Sequence, residues 1–135
     1  MAAVYPTVFL PTGNASRGLG NGRPQLLLPL WVQGSVRKWT WDAGASYLAN
    51  WAEGARGSWY TGFLVQRALS GQVKVGAEVF HRTPAAAGEP ATTGFNVGAV
   101  VRIAENRNLL VSVGKGLQAI NANQRSFYVA YQLEL

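Results

Sequence analysis

The chain contains no cysteine, which excludes disulfides and thiolate metal sites. It is also poor in charge. Asp, Glu, Lys and Arg make up 13% of its residues, against roughly a quarter in an ordinary soluble domain. Apolar residues reach 48%, yet no run approaches the roughly 18 consecutive apolar residues of a membrane-crossing helix. Low charge without such a run suits a strand-built protein whose outer surface is apolar. The opening, Met1-Ala2-Ala3-Val4-Tyr5-Pro6, lacks the basic n-region and apolar h-region of a signal peptide. An exported barrel needs one, so the chain is expected to be a mature form or part of a longer precursor. Its 135 residues are expected to form one domain, 1–135.

What is present is a rhythm of connections. Alternating apolar/polar segments are joined by long gaps at residues 11–24, 49–57, 82–91 and about 118–125. Between them lie short gaps: Gly34-Ser35-Val36, Ser70-Gly71-Gln72 and Glu105-Asn106-Arg107. Tight turns at one end and longer loops at the other are the habit of outer-membrane barrels, and about eight strands is near their minimum. The expected fold is therefore all-β: an antiparallel up-and-down transmembrane β-barrel of about eight strands.

Side chains alternate across a strand, and several segments split into unlike faces. Trp39, Trp41, Ala43, Ala45 and Tyr47 oppose Lys38, Thr40, Asp42, Gly44 and Ser46. Phe95, Val97, Ala99, Val101 and Ile103 oppose Gly94, Asn96, Gly98, Val100 and Arg102. The apolar faces are broad and aromatic, whereas the polar faces are rich in small residues, as a narrow, filled lumen requires. Aromatics cluster near strand ends: Trp31, Trp39 and Trp41 beside the first short turn, Trp51 and Trp59 beside the second long loop. They are expected to form the interfacial girdles of a membrane barrel. Two segments are less regular. Residues 25–33 are apolar on both faces and contain Pro29, which implies an edge or a bulge. The first strand, about residues 4–10, contains Pro6, so a weak seam is expected between the first and last strands.

Twelve basic and six acidic residues give a net charge of +6. The cations are scattered, mostly in connections, which favours attraction to lipid phosphates over a solubility surplus or nucleic-acid binding. The lumen candidates are Lys38, Lys74 and Arg102 against Asp42, Glu78 and Glu134, with Asn96 between them. Buried charges must pair or be hydrated, so these residues form either a salt-bridge plug or a polar path. Asn14, Arg17, Asn21 and Arg23 sit in the first long loop, expected to lie over the outer mouth. No metal or cofactor is expected, and no enzyme: His81 has opposite parity to Glu78, and no nucleophile elbow is present.

Four stretches carry a resemblance: Pro11-Thr-Gly-Asn-Ala-Ser-Arg-Gly-Leu-Gly-Asn-Gly22, Leu27-Leu-Pro-Leu-Trp31, Gly76-Ala-Glu-Val-Phe-His81 and Tyr128-Val-Ala-Tyr-Gln132. Together they resemble the C-terminal portion of a family of bacterial outer-membrane β-barrels, labelled as transporters associated with the meta-cleavage pathway of phenol degradation. The resemblance includes Pro29. It implies an outer-membrane, porin-like location in Gram-negative bacteria and uptake of small hydrophobic or aromatic compounds. It also raises the prospect of a wider pore, because family members carry further N-terminal strands. The chain ends at Leu135 where such barrels usually end in an aromatic residue. The expected partners are membrane lipid and lipopolysaccharide, with no nucleic acid. Two other functions stay open: a structural or adhesive outer-membrane barrel without transport, and a soluble lipocalin-like ligand-binding barrel.

Overall fold

A computed structural model describes residues 1–20, 22–118 and 125–134. The described residues form nine antiparallel strands: β1 (Ala2–Val4), β2 (Thr7–Phe9), β3 (Gln25–Val36), β4 (Trp39–Asn50), β5 (Ser58–Ala68), β6 (Val73–Arg82), β7 (Thr92–Ala104), β8 (Arg107–Gln118) and β9 (Arg125–Leu133). One 3-10 turn, Ala15–Arg17, is the sole helical element among the described residues. The strands follow one another in a single sheet, β1-β3-β4-β5-β6-β7-β8-β9, with β2 also beside β3.

The alternation of long and short connections survives, with the turns shifted by a few residues. Strand β3 runs on through Gly34, Ser35 and Val36, and the turn is Arg37-Lys38. Lys38 is thus a turn residue, not a lumen position on a strand. Residues 69–72 form the second short connection, and Glu105-Asn106 the third. Arg37 and Asn106 both adopt φ of 55°, a left-handed conformation that an asparagine tolerates far better than an arginine. The connection between β8 and β9, residues 119–124, lies outside the described residues, as does Leu135.

The expected first strand is two strands. Val4 pairs with Leu30 and Thr7 with Leu27, so Tyr5 and Pro6 fall opposite Pro29 and Leu28 in the same register. Two prolines, neither with an N–H to donate, meet at this point, and the ladder is interrupted there. Pro29 is not at an edge. It lies inside β3, pairs in register with Ser46, and is fully buried.

The sheet does not close. Among the described residues no pairing joins β9 to β1 or β2, which corrects the expectation of a closed barrel. The physical reason lies in that broken first strand: two three-residue pieces offer β9 no continuous ladder of backbone donors and acceptors. Strand β9 is left as an edge, with Phe127 85% and Val129 65% exposed.

The distribution of side chains is inverted relative to an ordinary domain. Apart from Pro29, no apolar side chain is buried among the described residues, whereas Ser46, Ser58 and Asn108 are. The register explains the inversion. Leu30, Val32, Trp41, Trp39, Phe63, Val79, Val97, Val111, Val113 and Phe127 share one face of the sheet. All ten are exposed. Among the described residues no second layer covers them, although a sheet's apolar face normally must be buried against one.

Candidate functional site: the polar face

Three rows of cross-strand neighbours build the other face. The first runs Trp31–Gly44–Gly62–Phe80–Gly94–Gly116 from β3 to β8. Glycines let the two large rings lie flat across their neighbours. Trp31 covers Gly44 and reaches Gly62, and Phe80 covers Gly94. Tyr60, one row away, joins them: its ring lies 6.3 Å from Trp31 and stacks on Phe80 at 6.1 Å and 22°. Ring pairs at such separations attract beyond their burial alone. Trp31 therefore belongs to the polar face and not to a girdle. The reason is its register with Gly44, which one strand read alone does not show.

The second row is polar: Gln33–Asp42–Leu64–Glu78–Asn96–Gly114–Ser126. Gln33 Nε2 donates to Asp42 Oδ1 at 2.9 Å. Asn96 Nδ2 donates to Glu78 Oε1, and Ser126 Oγ donates to Asn96 Oδ1 at 3.3 Å. Nearer the short turns, Asn108 Nδ2 donates to Glu134 Oε1 at 2.8 Å. The partners of all three carboxylates are thus carboxamides. Lys38, Lys74 and Arg102 pair with none of them among the described residues, and all three are exposed. This replaces the expected salt-bridge plug with charge-to-amide bonds, which leave no cation to be desolvated.

The third row, Gln66–Gly76–Gly98–Ser112–Tyr128, is low because its central residues are small. It floors a cleft of about 230 Å³. Gln66, Glu78, Asn96, Ser112 and Tyr128 supply polar groups around it, and Leu64, Val100 and Leu110 supply apolar walls. Lys74 also lines it. The cleft can bury a small, largely apolar molecule and offer it a few fixed donors and acceptors, the usual composition of a ligand site. Of the seven lumen candidates it gathers Lys74, Glu78 and Asn96; Asp42, Arg102 and Glu134 lie elsewhere on the face and Lys38 in a turn. Ser112 was legible only as a small lumen residue, and Gln66 and Tyr128 were not among the lumen candidates. Their parity was legible, but their meeting depends on register across four strands.

Glu78 is a test of this network. Glu78→Gln keeps an acceptor for Asn96 but removes the charge that strengthens the bond. The expected loss is about 1 kcal/mol of stability, read from the urea midpoint of the refolded protein. An unchanged midpoint would show that the row contributes nothing to holding the sheet.

The remaining candidates are dispersed. Asn14 Oδ1 accepts from the backbone N–H of Ser16 at 3.0 Å and caps the 3-10 turn that ends at Arg17. Every described residue of 10–24, Arg23 included, is exposed, and Asn21 lies outside the described residues. Trp39, Trp41 and Trp59 stand on the apolar face near opposite strand ends, with Arg67 5.2 Å above the Trp39 ring. Trp51 is exposed in the loop after β4. His81 Nδ1 lies 2.8 Å from Thr93 Oγ1 on the apolar face, whereas Ser58 and Glu78 are on the polar one. Among the described residues no group of three or more His, Asp or Glu could hold a metal ion. No described helix is long and apolar enough to cross a membrane, which leaves crossing by strands untouched.

Protein-family models, curated proteins and solved structures were each compared with the chain, and none matches it.

Proposed function

We propose that the chain is the wall of an outer-membrane β-barrel, and that its polar face binds or passes small hydrophobic or aromatic molecules. One observation carries the membrane half of this reading: the exposed face is apolar and, apart from Pro29, the buried side chains among the described residues are polar. In water such a surface would cost far more than in lipid. Strands β3 to β9 are 9 to 13 residues long, comparable with the roughly 9–11 residues of a tilted spanning strand. The basic strand residues of the apolar face are Arg67, Arg107, Lys115, Arg125 and His81, and every strand carboxylate faces the other way. The cations stand toward the strand ends, where lipid phosphates would meet them. The resemblance to transporters of the phenol meta-cleavage pathway supports the same location and the same class of solute.

The ligand half rests on the cleft over Gly76, Gly98 and Ser112. Its size favours a molecule no larger than a single substituted ring. A second reading is structural, without transport, and the stacked rings of Trp31, Tyr60 and Phe80 favour it because they fill one level of the polar face.

The test is refolding in detergent, then reconstitution in liposomes and swelling with small aromatic solutes. Heat-modifiable migration on a gel together with solute-dependent swelling supports a transporting barrel. Heat-modifiable migration without swelling supports the structural reading. A monodisperse protein in plain buffer would overturn the membrane reading and leave the soluble, lipocalin-like alternative.

A further inference from the structure

On the apolar face, at the long-loop end of β7, β8 and β9, Lys115 pairs in register with Arg125, and Phe95 lies beside Lys115 on the other side. Cross-strand neighbours on one face stand about 5 Å apart, and like charges directly opposite one another are unfavourable. Among the described residues nothing offsets this pair. No strand carboxylate lies on their face, and among the described residues no hydrogen bond or ion pair holds either side chain. The next row toward the middle of the sheet is Val97–Val113–Phe127, wholly apolar. The two rows border a shallow, open groove.

We propose that this groove is a specific site for an anionic, phosphate-bearing lipid. The phosphate lies between Lys115 and Arg125, and an acyl chain runs over Val97, Val113 and Phe127. Two observations carry the proposal. The paired cations need an anion to relieve their mutual repulsion, and an arginine and a lysine side by side suit a phosphate. The surface continuing inward from them is apolar and heavily exposed, with Val113 at 63% and Phe127 at 85%. An anion without a tail would leave that surface bare. Arg67 and Arg107 do not make an equivalent site: Arg67 sits against the Trp39 ring, and Arg107 lies opposite Leu133.

This inference rests on the membrane reading above, and its test separates the two. The full chain, refolded in detergent, is titrated with phosphatidic acid, with diacylglycerol and with inorganic phosphate, and bound ligand is counted by native mass spectrometry. Phosphatidic acid is expected to bind at least about tenfold more tightly than diacylglycerol, and K115Q/R125Q to lose that preference. R67Q/R107Q, with the same change in net charge, is expected to keep it. Phe127→Ser is expected to weaken phosphatidic acid while leaving inorganic phosphate unchanged. All five positions are exposed, and the heat-modifiable gel shift verifies that each variant has folded. Equal binding of phosphatidic acid and diacylglycerol, or equal loss in both double variants, overturns the site while leaving the membrane reading in place. Inorganic phosphate that binds as tightly as the lipid overturns the acyl groove. A chain that needs no detergent overturns the membrane reading itself, and the lipid site with it.

Discussion

Gly44→Val is expected to destabilise the protein by about 3 kcal/mol, the upper range for forcing extra methyl groups into a filled space. A Cβ at Gly44 would lie 2.6 Å from the Leu30 carbonyl oxygen and overlap the Trp31 ring. The ring cannot easily slide away, because its far edge already rests on Gly62 and Tyr60 closes in from the next row. Trp31→Ala, which empties the space, is expected to cost about 3–5 kcal/mol alone. The double variant is the informative measurement. With the ring gone, its overlap with the valine is relieved, so the combined loss should fall short of the sum by about 1 kcal/mol or more. Urea midpoints of the four proteins in detergent give the cycle. Strict additivity would mean that the tryptophan and the glycine are not one packing unit.

The second large effect concerns the other face. Phe63 lies mid-strand in β5 between Ala43 and Val79, 47% exposed. If that face meets lipid, Phe63→Arg places a cation near the bilayer midplane, at about 2–4 kcal/mol. If it meets water, the substitution is a surface change worth less than about 0.5 kcal/mol. Thr61→Arg, two residues nearer the long-loop rim on the same face, provides the depth control. In lipid its cost should be smaller than that of Phe63→Arg, because the penalty falls with distance from the midplane. Unfolding of the two variants from vesicles therefore reads depth as well as environment. Equal, small losses at both positions would sink the membrane reading.

Much of the sheet was legible from local pattern. Period-2 alternation assigned the faces of β4, β6, β7 and β9, since each needs only the parity of its own residues: Asp42, Glu78 and Asn96 on one side, Trp41, Val79 and Val97 on the other. Turn-forming residues placed the short connections to within a few positions, and Pro6 and Pro29 marked where pairing would falter. Lys38 was misplaced because a turn boundary moved by two residues. Strand β3 resisted local reading altogether, with leucines on both faces, so the side occupied by Trp31 stayed hidden.

What pairing alone decided lies between strands. The polar row from Gln33 to Ser126, the rings laid over glycines, and the cleft over Gly76 and Gly98 all depend on register, and register is a relation among residues tens of positions apart. The partners of the carboxylates were decided in the same way: Glu78 meets Asn96 because β6 and β7 align them, while opposite charge along the chain suggested a lysine or an arginine. Whether the two edges meet was also beyond local pattern. Alternation counts strands and orients their faces, but closure requires an unbroken ladder on both edges, and the break at Tyr5-Pro6 in the first strand removes it on one of them.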